Sequence, residues 1–138
     1  MARLVLTDAS IVINSINLSD FISSVTITTS DDVLDSSAFS STIASGRTRV
    51  AGLQDNSVTL EFFQDFGTSL VEQTIYPLIG SATNVVVKPT SAAVSATNPS
   101  FTFSAVIVDW QSLSGSVGEL ATASVTWPIS GSITKATV

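Results

Sequence analysis

The feature that most constrains the fold is a two-residue alternation of apolar and polar side chains. Val58, Leu60 and Phe62 are separated by single residues over the segment 57–64. Successive side chains of a β-strand point to opposite faces, so this pattern predicts a half-buried strand. Similar signals predict strands at residues 21–29, 101–110 and 121–127, and shorter ones at 4–7, 11–13, 48–50, 84–88 and 132–134. Three prolines are expected at strand ends, namely Pro89, Pro99 and Pro128.

One segment, at about residues 69–79, has helical periodicity instead. Ser69 and Glu72 have the spacing of a capping box, in which each side chain satisfies a backbone N–H. Pro77 predicts that the helix ends or kinks near Thr74. The apolar stripe expected to pack on the sheet consists of Val71, Ile75, Leu78 and Ile79.

The segment at about residues 30–51 breaks the β pattern. It is polar, offers few anchors for a core, and has no predicted regular structure before the short strand near its end. Loops of this length are usually functional or disordered. We therefore expect an extended arm that orders against a neighbouring subunit, with a mobile surface loop as the open alternative.

With 138 residues the chain is long enough for one domain, which we expect to span residues 1–138. The sequence predicts a mainly β fold, an antiparallel β-sandwich or barrel with one flanking α-helix and the extended arm. The chain has no cysteine, so no disulfide stabilises it. Its first residues contain only the short apolar run Leu4-Val5-Leu6, so we expect no signal peptide, no membrane partner and assembly in a cytoplasm.

Charged residues make up only 12% of the chain, about half the share usual in soluble proteins. A protein that buries much of its surface in an assembly needs less surface charge, although an ordinary monomer with a neutral Ser/Thr surface remains an open alternative. The net charge is −6, and the five cations are dispersed. Tight nucleic-acid binding, which requires clustered cations, is therefore not expected, while an acidic wall would let DNA slide past.

The residue types in the chain give little support for a catalytic function. The chain has no histidine and no cysteine, which excludes Ser–His and Cys–His nucleophiles. The acidic run at Asp31, Asp32 and Asp35 lacks the spacing of a calcium loop. We expect no catalytic residues, no cofactor and no metal. Trp110 and Trp127 could form a carbohydrate-binding platform, but core packing is the favoured reading.

Several segments, taken in order, resemble major tail proteins of long-tailed bacteriophages. They are residues 11–14, 18–20, 24–29, 50–55, 60–66, 88–92, 96–99 and 113–118. The resemblance implies a tail tube subunit with a β-sandwich and one flanking helix. It also implies rings, commonly of six, that stack around a channel for the genome, and it supplies no catalytic residues.

This resemblance sets the expected partners and location. The partners are other copies of the chain, other phage tail proteins, and viral DNA that passes through the lumen without specific binding. The location is the virion tail, after assembly in the host cytoplasm. Open alternatives are a tail terminator, a connector, a capsid decoration protein or a carbohydrate-binding module.

The candidate subunit interface lies on the arm. We expect the arm to cross to the next ring or neighbour, and its acidic residues to lie near Arg47 or Arg49 of another copy. Deletion of residues 31–49 should then leave a folded monomer that cannot polymerise. The interface residues are Asp31, Asp32, Asp35, Phe39, Arg47 and Arg49.

Overall fold

The computed structural model describes residues 3–39 and 46–138. Within these residues the chain forms seven strands and one short α-helix. The elements are β1 (Ser10–Ile13), β2 (Ile16–Asn17), β3 (Ile22–Asp35), β4 (Arg49–Phe63), α1 (Val71–Ile75), β5 (Ala82–Lys88), β6 (Ser100–Val106) and β7 (Thr122–Ala136). Single turns of 3₁₀-helix, Ser19–Phe21 and Tyr76–Leu78, precede β3 and follow α1.

All seven strands belong to one sheet with the order β2-β1-β5-β6-β7-β4-β3. Every neighbouring pair is antiparallel. The prediction of a mainly β, antiparallel fold with a flanking helix is confirmed. The sheet is not closed into a barrel, because β2 and β3 stay at its two ends.

The sheet curls so that its inward side chains form one core. Val25 and Ile27 of β3 line the same depression as Val87 of β5 and Phe101 of β6, although these strands lie far apart in the sheet order. The alternation predicted from sequence is confirmed in part of β4 and of β7, where every second side chain is buried from Asn56 to Phe62 and from Ala123 to Ile129. The largest fully buried side chains are Trp127, Phe62, Ile13, Leu18, Leu60, Ile75 and Ile107.

Strand β7 changes partner in the middle of its length. It pairs with β4 from Thr122 to Ile129, and from Ile129 onward it pairs with β6. The change coincides with a bulge at Gly131, whose φ of 87° is a conformation that favours glycine. The buried side chain of Asn56 donates from Nδ2 to the Gly131 carbonyl at 3.3 Å. Among the described strands, the part of β4 before Asn56 pairs with β3 alone and so extends beyond the rest of the sheet.

The helical segment is present, but its predicted capping box is wrong. The helix begins at Val71 after Leu70, and no side chain caps it. Ser69 has a φ of 59°, whereas a capping residue takes an extended backbone, and its N–H donates to Gln73 Oε1 at 3.4 Å. The predicted effect of Pro77 is confirmed, since the α-helix ends at Ile75 and continues only as a 3₁₀ turn.

Several predictions for strands and their ends differ from the structure. Residues 4–7 form no strand, and the chain near them makes only an isolated bridge between Asp8 and Thr90. Strand β6 ends at Val106, before the predicted end at 110. Pro128 lies inside β7, where it faces Ser57 of β4 while pairing with β6 begins only at Ile129. A missing N–H is tolerated there because one side of the strand is still unpaired.

Candidate subunit interface

The predicted arm is a β-hairpin. We define the arm as residues 30–39 and 46–55, which comprise the distal parts of β3 and β4 and the described residues beyond them. The expectation that it lacks regular structure is wrong, because β3 continues to Asp35 and β4 begins at Arg49. Alternating polar and charged side chains carry no burial signal, so the sequence pattern missed strands that are exposed on both faces.

The register of the arm fixes which side chains share a face. Ser30 lies opposite Asp55 and Leu34 lies opposite Val50, and a bulge shifts the register by one residue at Gly52 and Leu53. A Cβ on Gly52 would lie 3.2 Å from the side chains of Asp32 and Leu34, so the two strands approach closely there. A bulge of this kind bends the strand locally and increases its twist.

Serine and threonine side chains complete the hairpin beyond the last strand pair. The Ser36 N–H donates to the Thr48 carbonyl at 2.9 Å, and the Thr48 N–H donates to the Ser37 hydroxyl at 3.0 Å. The Ser37 N–H donates to Asp35 Oδ1 at 2.9 Å. This backbone hydrogen bond, together with one from the Ser37 side chain, lowers the pKa of Asp35 below its ordinary value.

The structure brings some of the predicted interface residues together and separates others. Asp35 lies opposite Arg49, and its Oδ2 is 3.9 Å from Nη1 of Arg47 in the same chain. Both side chains of that ion pair are more than half exposed, so the pair contributes little to stability. Asp31 lies opposite Gln54, and Asp32 follows it on the other face of β3. The expected contacts with Arg47 or Arg49 of another copy stay a prediction.

The arm carries five exposed apolar side chains, of which the sequence predicted only Phe39 for the interface. Phe39 is fully exposed, and Val33 and Leu53 are 68% and 82% exposed. Leu34 and Val50, opposite each other, are both 52% exposed. Single exposed apolar residues are ordinary, but five on one narrow hairpin mark a surface suited to contact with protein. Of the residues predicted for the interface, only Phe39 belongs to this apolar set.

A second exposed apolar surface lies at the other end of β4. We call it the base patch, and it consists of Phe63, Phe66, Leu113, Val117 and Leu120, which are between 37% and 106% exposed. Its loop is fastened to the end of β4, because Gln64 donates from its backbone N–H to the Ala121 carbonyl and from Nε2 to the Ser112 carbonyl. No periodicity marks this loop in the sequence.

Glu72 of α1 anchors the helix to the sheet. Its Oε2 accepts hydrogen bonds from Trp110 Nε1 at 2.7 Å and from Gln64 Nε2 at 2.9 Å. Trp110 in turn packs edge-on against Phe62, with ring centroids 5.3 Å apart. The arrangement is structural, because this carboxylate is occupied by two neutral donors of the same chain.

The tryptophans do not form a flat platform for a sugar. Trp127 has no exposed surface, and its Nε1 donates to the Asp109 carbonyl at 2.8 Å. Trp110 is half-buried against the core. The prediction that these residues pack in the core is confirmed. The carbohydrate-binding alternative required exposed tryptophan rings, and the two tryptophans do not provide them.

In the described ranges, no group of three or more Asp, Glu, His or Cys side chains is arranged to hold a metal ion. Among these residues, no helix has the length and apolar character needed to cross a membrane.

Comparison with known proteins gives matches at the level of structure only. No family model matches the chain, and no curated protein matches its sequence. A chain of the sheath–tube complex of an extracellular contractile injection system (PVC), in its extended state, is similar with a TM-score of 0.72 and 11% identity. That similarity covers 99% of this chain and 93% of the other.

Two further solved structures are similar. One is the tail of an empty GTA particle with C6 symmetry, with a TM-score of 0.61 and 13% identity over 83% of this chain and 81% of that one. The other is the six-fold symmetrised baseplate of the anti-feeding prophage, with a TM-score of 0.56 and 12% identity over 98% and 97%. The chain therefore has the fold of components of phage-tail-like particles, in agreement with its sequence resemblance to phage major tail proteins.

Proposed function

We propose that this protein is the structural subunit of a tail tube, which binds copies of itself in rings that stack around a channel. The observation that carries the proposal is the shared fold with the sheath–tube complex chain, which extends over 99% of this chain with a TM-score of 0.72. At 11% identity the likeness concerns the fold, so the assembly itself is our inference.

The sheet edges support self-association. Strand β3 ends the sheet, so along its 14 residues one edge faces away from every other described strand. Unpaired N–H and C=O groups on such an edge are satisfied when a strand of another chain pairs with them. A contact between two different surfaces of identical subunits closes into a ring when its rotation divides a full turn.

Two further observations support the proposed ring number and channel. Two of the similar particles have six-fold symmetry, which favours a ring of six here. The net charge of −6 and the 12% share of charged residues favour a lumen that a genome passes without adhering to it. We place the protein in the virion tail, assembled in the host cytoplasm with other tail proteins, and in a role that involves no catalysis.

The residues Asp31, Asp32, Asp35, Phe39, Arg47 and Arg49 belong to this proposal as contacts between copies. All six lie on the arm, where each side chain is exposed. Because none of the described arm residues is buried, contact with another subunit is the simplest account of the arm's length.

The test is negative-stain electron microscopy of the purified protein over a range of concentrations. We expect tubes with a central channel at high concentration. Single rings without tubes would indicate a terminator or connector instead. Material that remains monomeric at every concentration, with native circular dichroism, would refute self-assembly.

A further inference from the structure

Strands β4 and β7 part where the arm leaves the body of the sheet. Their ladder ends at the pair Asn56–Ile129, and if it continued in the same register Gln54 would lie opposite Gly131. Instead, β7 has its bulge at Gly131 and pairs onward with β6, while Gln54 pairs within the arm. Asn56 therefore lies in a fork, at the point where the arm begins.

The side chain of Asn56 connects the two branches of this fork. Its Nδ2 donates to the Gly131 carbonyl at 3.3 Å and to Gln54 Oε1 at 3.0 Å, so one amide group holds a residue on each branch. Among the described residues, its bond to Gln54 is the only side-chain hydrogen bond that joins the arm to the body. Beside the fork lies an open groove of about 400 Å³, lined by Gln54 of the arm and by Phe101 and Ile133 of the body. The described part of the arm thus gains little support from packing.

Stability of the core does not explain an amide at this position. The next inward side chains of β4, Val58, Leu60 and Phe62, are apolar and fully buried. Asn56 is only 1% exposed, and its Oδ1 has no hydrogen-bond partner among the described residues. A buried oxygen without a partner costs free energy, so an apolar side chain would suit the core better. The contacts of the amide nitrogen are the remaining explanation.

We infer that Asn56 positions the arm, because its amide fixes the angle at which the arm leaves β7. The consequence for assembly rests on the proposed function, in which the arm is a contact between copies. Asp35 lies five residues beyond Ser30 in β3, which is about 17 Å at the rise of a β-strand. A small change of angle at the fork therefore displaces the end of the arm much further. An arm held in one direction also loses less entropy when it docks.

Pulsed electron paramagnetic resonance on dilute, monomeric protein measures the direction of the arm without requiring assembly. The parent protein carries spin labels at Val33→Cys in the arm and at Thr122→Cys, the first residue of β7, two exposed positions in a chain that has no cysteine of its own. We expect one narrow distribution of distances between the labels. Asn56→Leu keeps a similar volume but has no donor, so it should widen this distribution about twofold or more. Its melting temperature should be unchanged or raised, because the buried oxygen is gone.

The matched control is Val58→Ala, which changes the next inward position of β4 without removing a bond at the fork. It should lower the melting temperature and leave the distance distribution as in the parent. Equal widths for Asn56→Leu and Val58→Ala would overturn the inference. Gln54→Ala removes one of the two bonds at an exposed position and should give an intermediate width. If Asn56→Leu does not fold, an unchanged width in Gln54→Ala overturns the inference and a widened one supports it.

Electron microscopy of the same variants, at a temperature where all are folded, separates this inference from the proposed function. If the wild-type protein forms tubes, Asn56→Leu should lower their yield about tenfold or more, and Val58→Ala should not. Undiminished tubes from a variant with a widened distribution would overturn the role of Asn56 in assembly and leave the proposed function standing. If the wild-type protein forms no tubes while Asn56→Leu widens the distribution, the proposed function fails and the positioning of the arm by Asn56 is supported.

Discussion

Excision of the arm should separate folding from assembly. Ser30 and Asp55 lie directly opposite each other, so residues 31–54 can be replaced by Asn-Gly, which closes two antiparallel strands with a two-residue turn. A simple deletion of residues 31–49 would instead leave the start of β4 without its partner in β3. The structure thus dictates that both limbs of the hairpin be removed together.

The expected change in stability is small. None of the arm residues that the structure describes belongs to the buried core. The excision removes four cross-strand pairs, Asp31–Gln54, Val33–Ala51, Leu34–Val50 and Asp35–Arg49, each worth about 0.2–1 kcal/mol. The variant also no longer loses conformational entropy by ordering the arm on folding, and this gain offsets the lost pairs. We expect the free energy of unfolding to change by about 1 kcal/mol at most, and the melting temperature by about 5 °C.

Circular dichroism measures the melting temperature and sedimentation velocity measures assembly. Leu60→Ala serves as the control, because it empties a fully buried position and should cost about 2–5 kcal/mol. The excised variant should melt close to the wild type and sediment without tubes. A melting temperature lowered as far as in the control would show that the arm belongs to the folding unit, and undiminished tubes would refute its role in assembly.

Three further changes test individual contacts. Trp127→Phe removes the hydrogen bond to the Asp109 carbonyl and should lower the free energy of unfolding by about 1–3 kcal/mol in urea titration. Glu72→Ala leaves the indole N–H of Trp110 without its acceptor and should cost a similar amount, with native assembly if the role is purely structural. Ser37→Ala should raise the pKa of Asp35 towards its ordinary value, measured by NMR titration, while the backbone hydrogen bond keeps part of the shift. Because folding lowers the pKa of Asp35, the stability contributed by its ionised carboxylate is present above the ordinary pKa and is lost as pH falls through the lowered pKa. An unchanged pKa in the Ser37→Ala variant would contradict the role assigned to the Ser37 side chain.

The sequence predicted the strands in which burial of one face makes apolar and polar side chains alternate. Val58, Leu60 and Phe62 alternate with exposed residues because one face of β4 packs on the core, and the same holds for β7. The helical segment was located, but Ser69 was misread as a cap, since spacing alone does not reveal a left-handed backbone.

The sequence did not predict the strands that pair with each other without burying any side chains. Residues 30–35 pair with β4 although their side chains are exposed, so no hydrophobic pattern indicates the strand. The charged residues of the arm were recognised, while Val33 and Leu53 were not. The base patch was not predicted from the sequence, because Leu113, Val117 and Leu120 are scattered along a loop without periodicity.

Hydrogen–deuterium exchange at low and high protein concentration tests the central claim most directly, because it reports where copies meet. Backbone amides of an exposed hairpin exchange quickly in a free subunit. At high concentration, we predict slower exchange in the arm and along β3, with the core amides unchanged. Identical exchange at all concentrations, or protection that spares both the arm and the edge strand, would contradict the account.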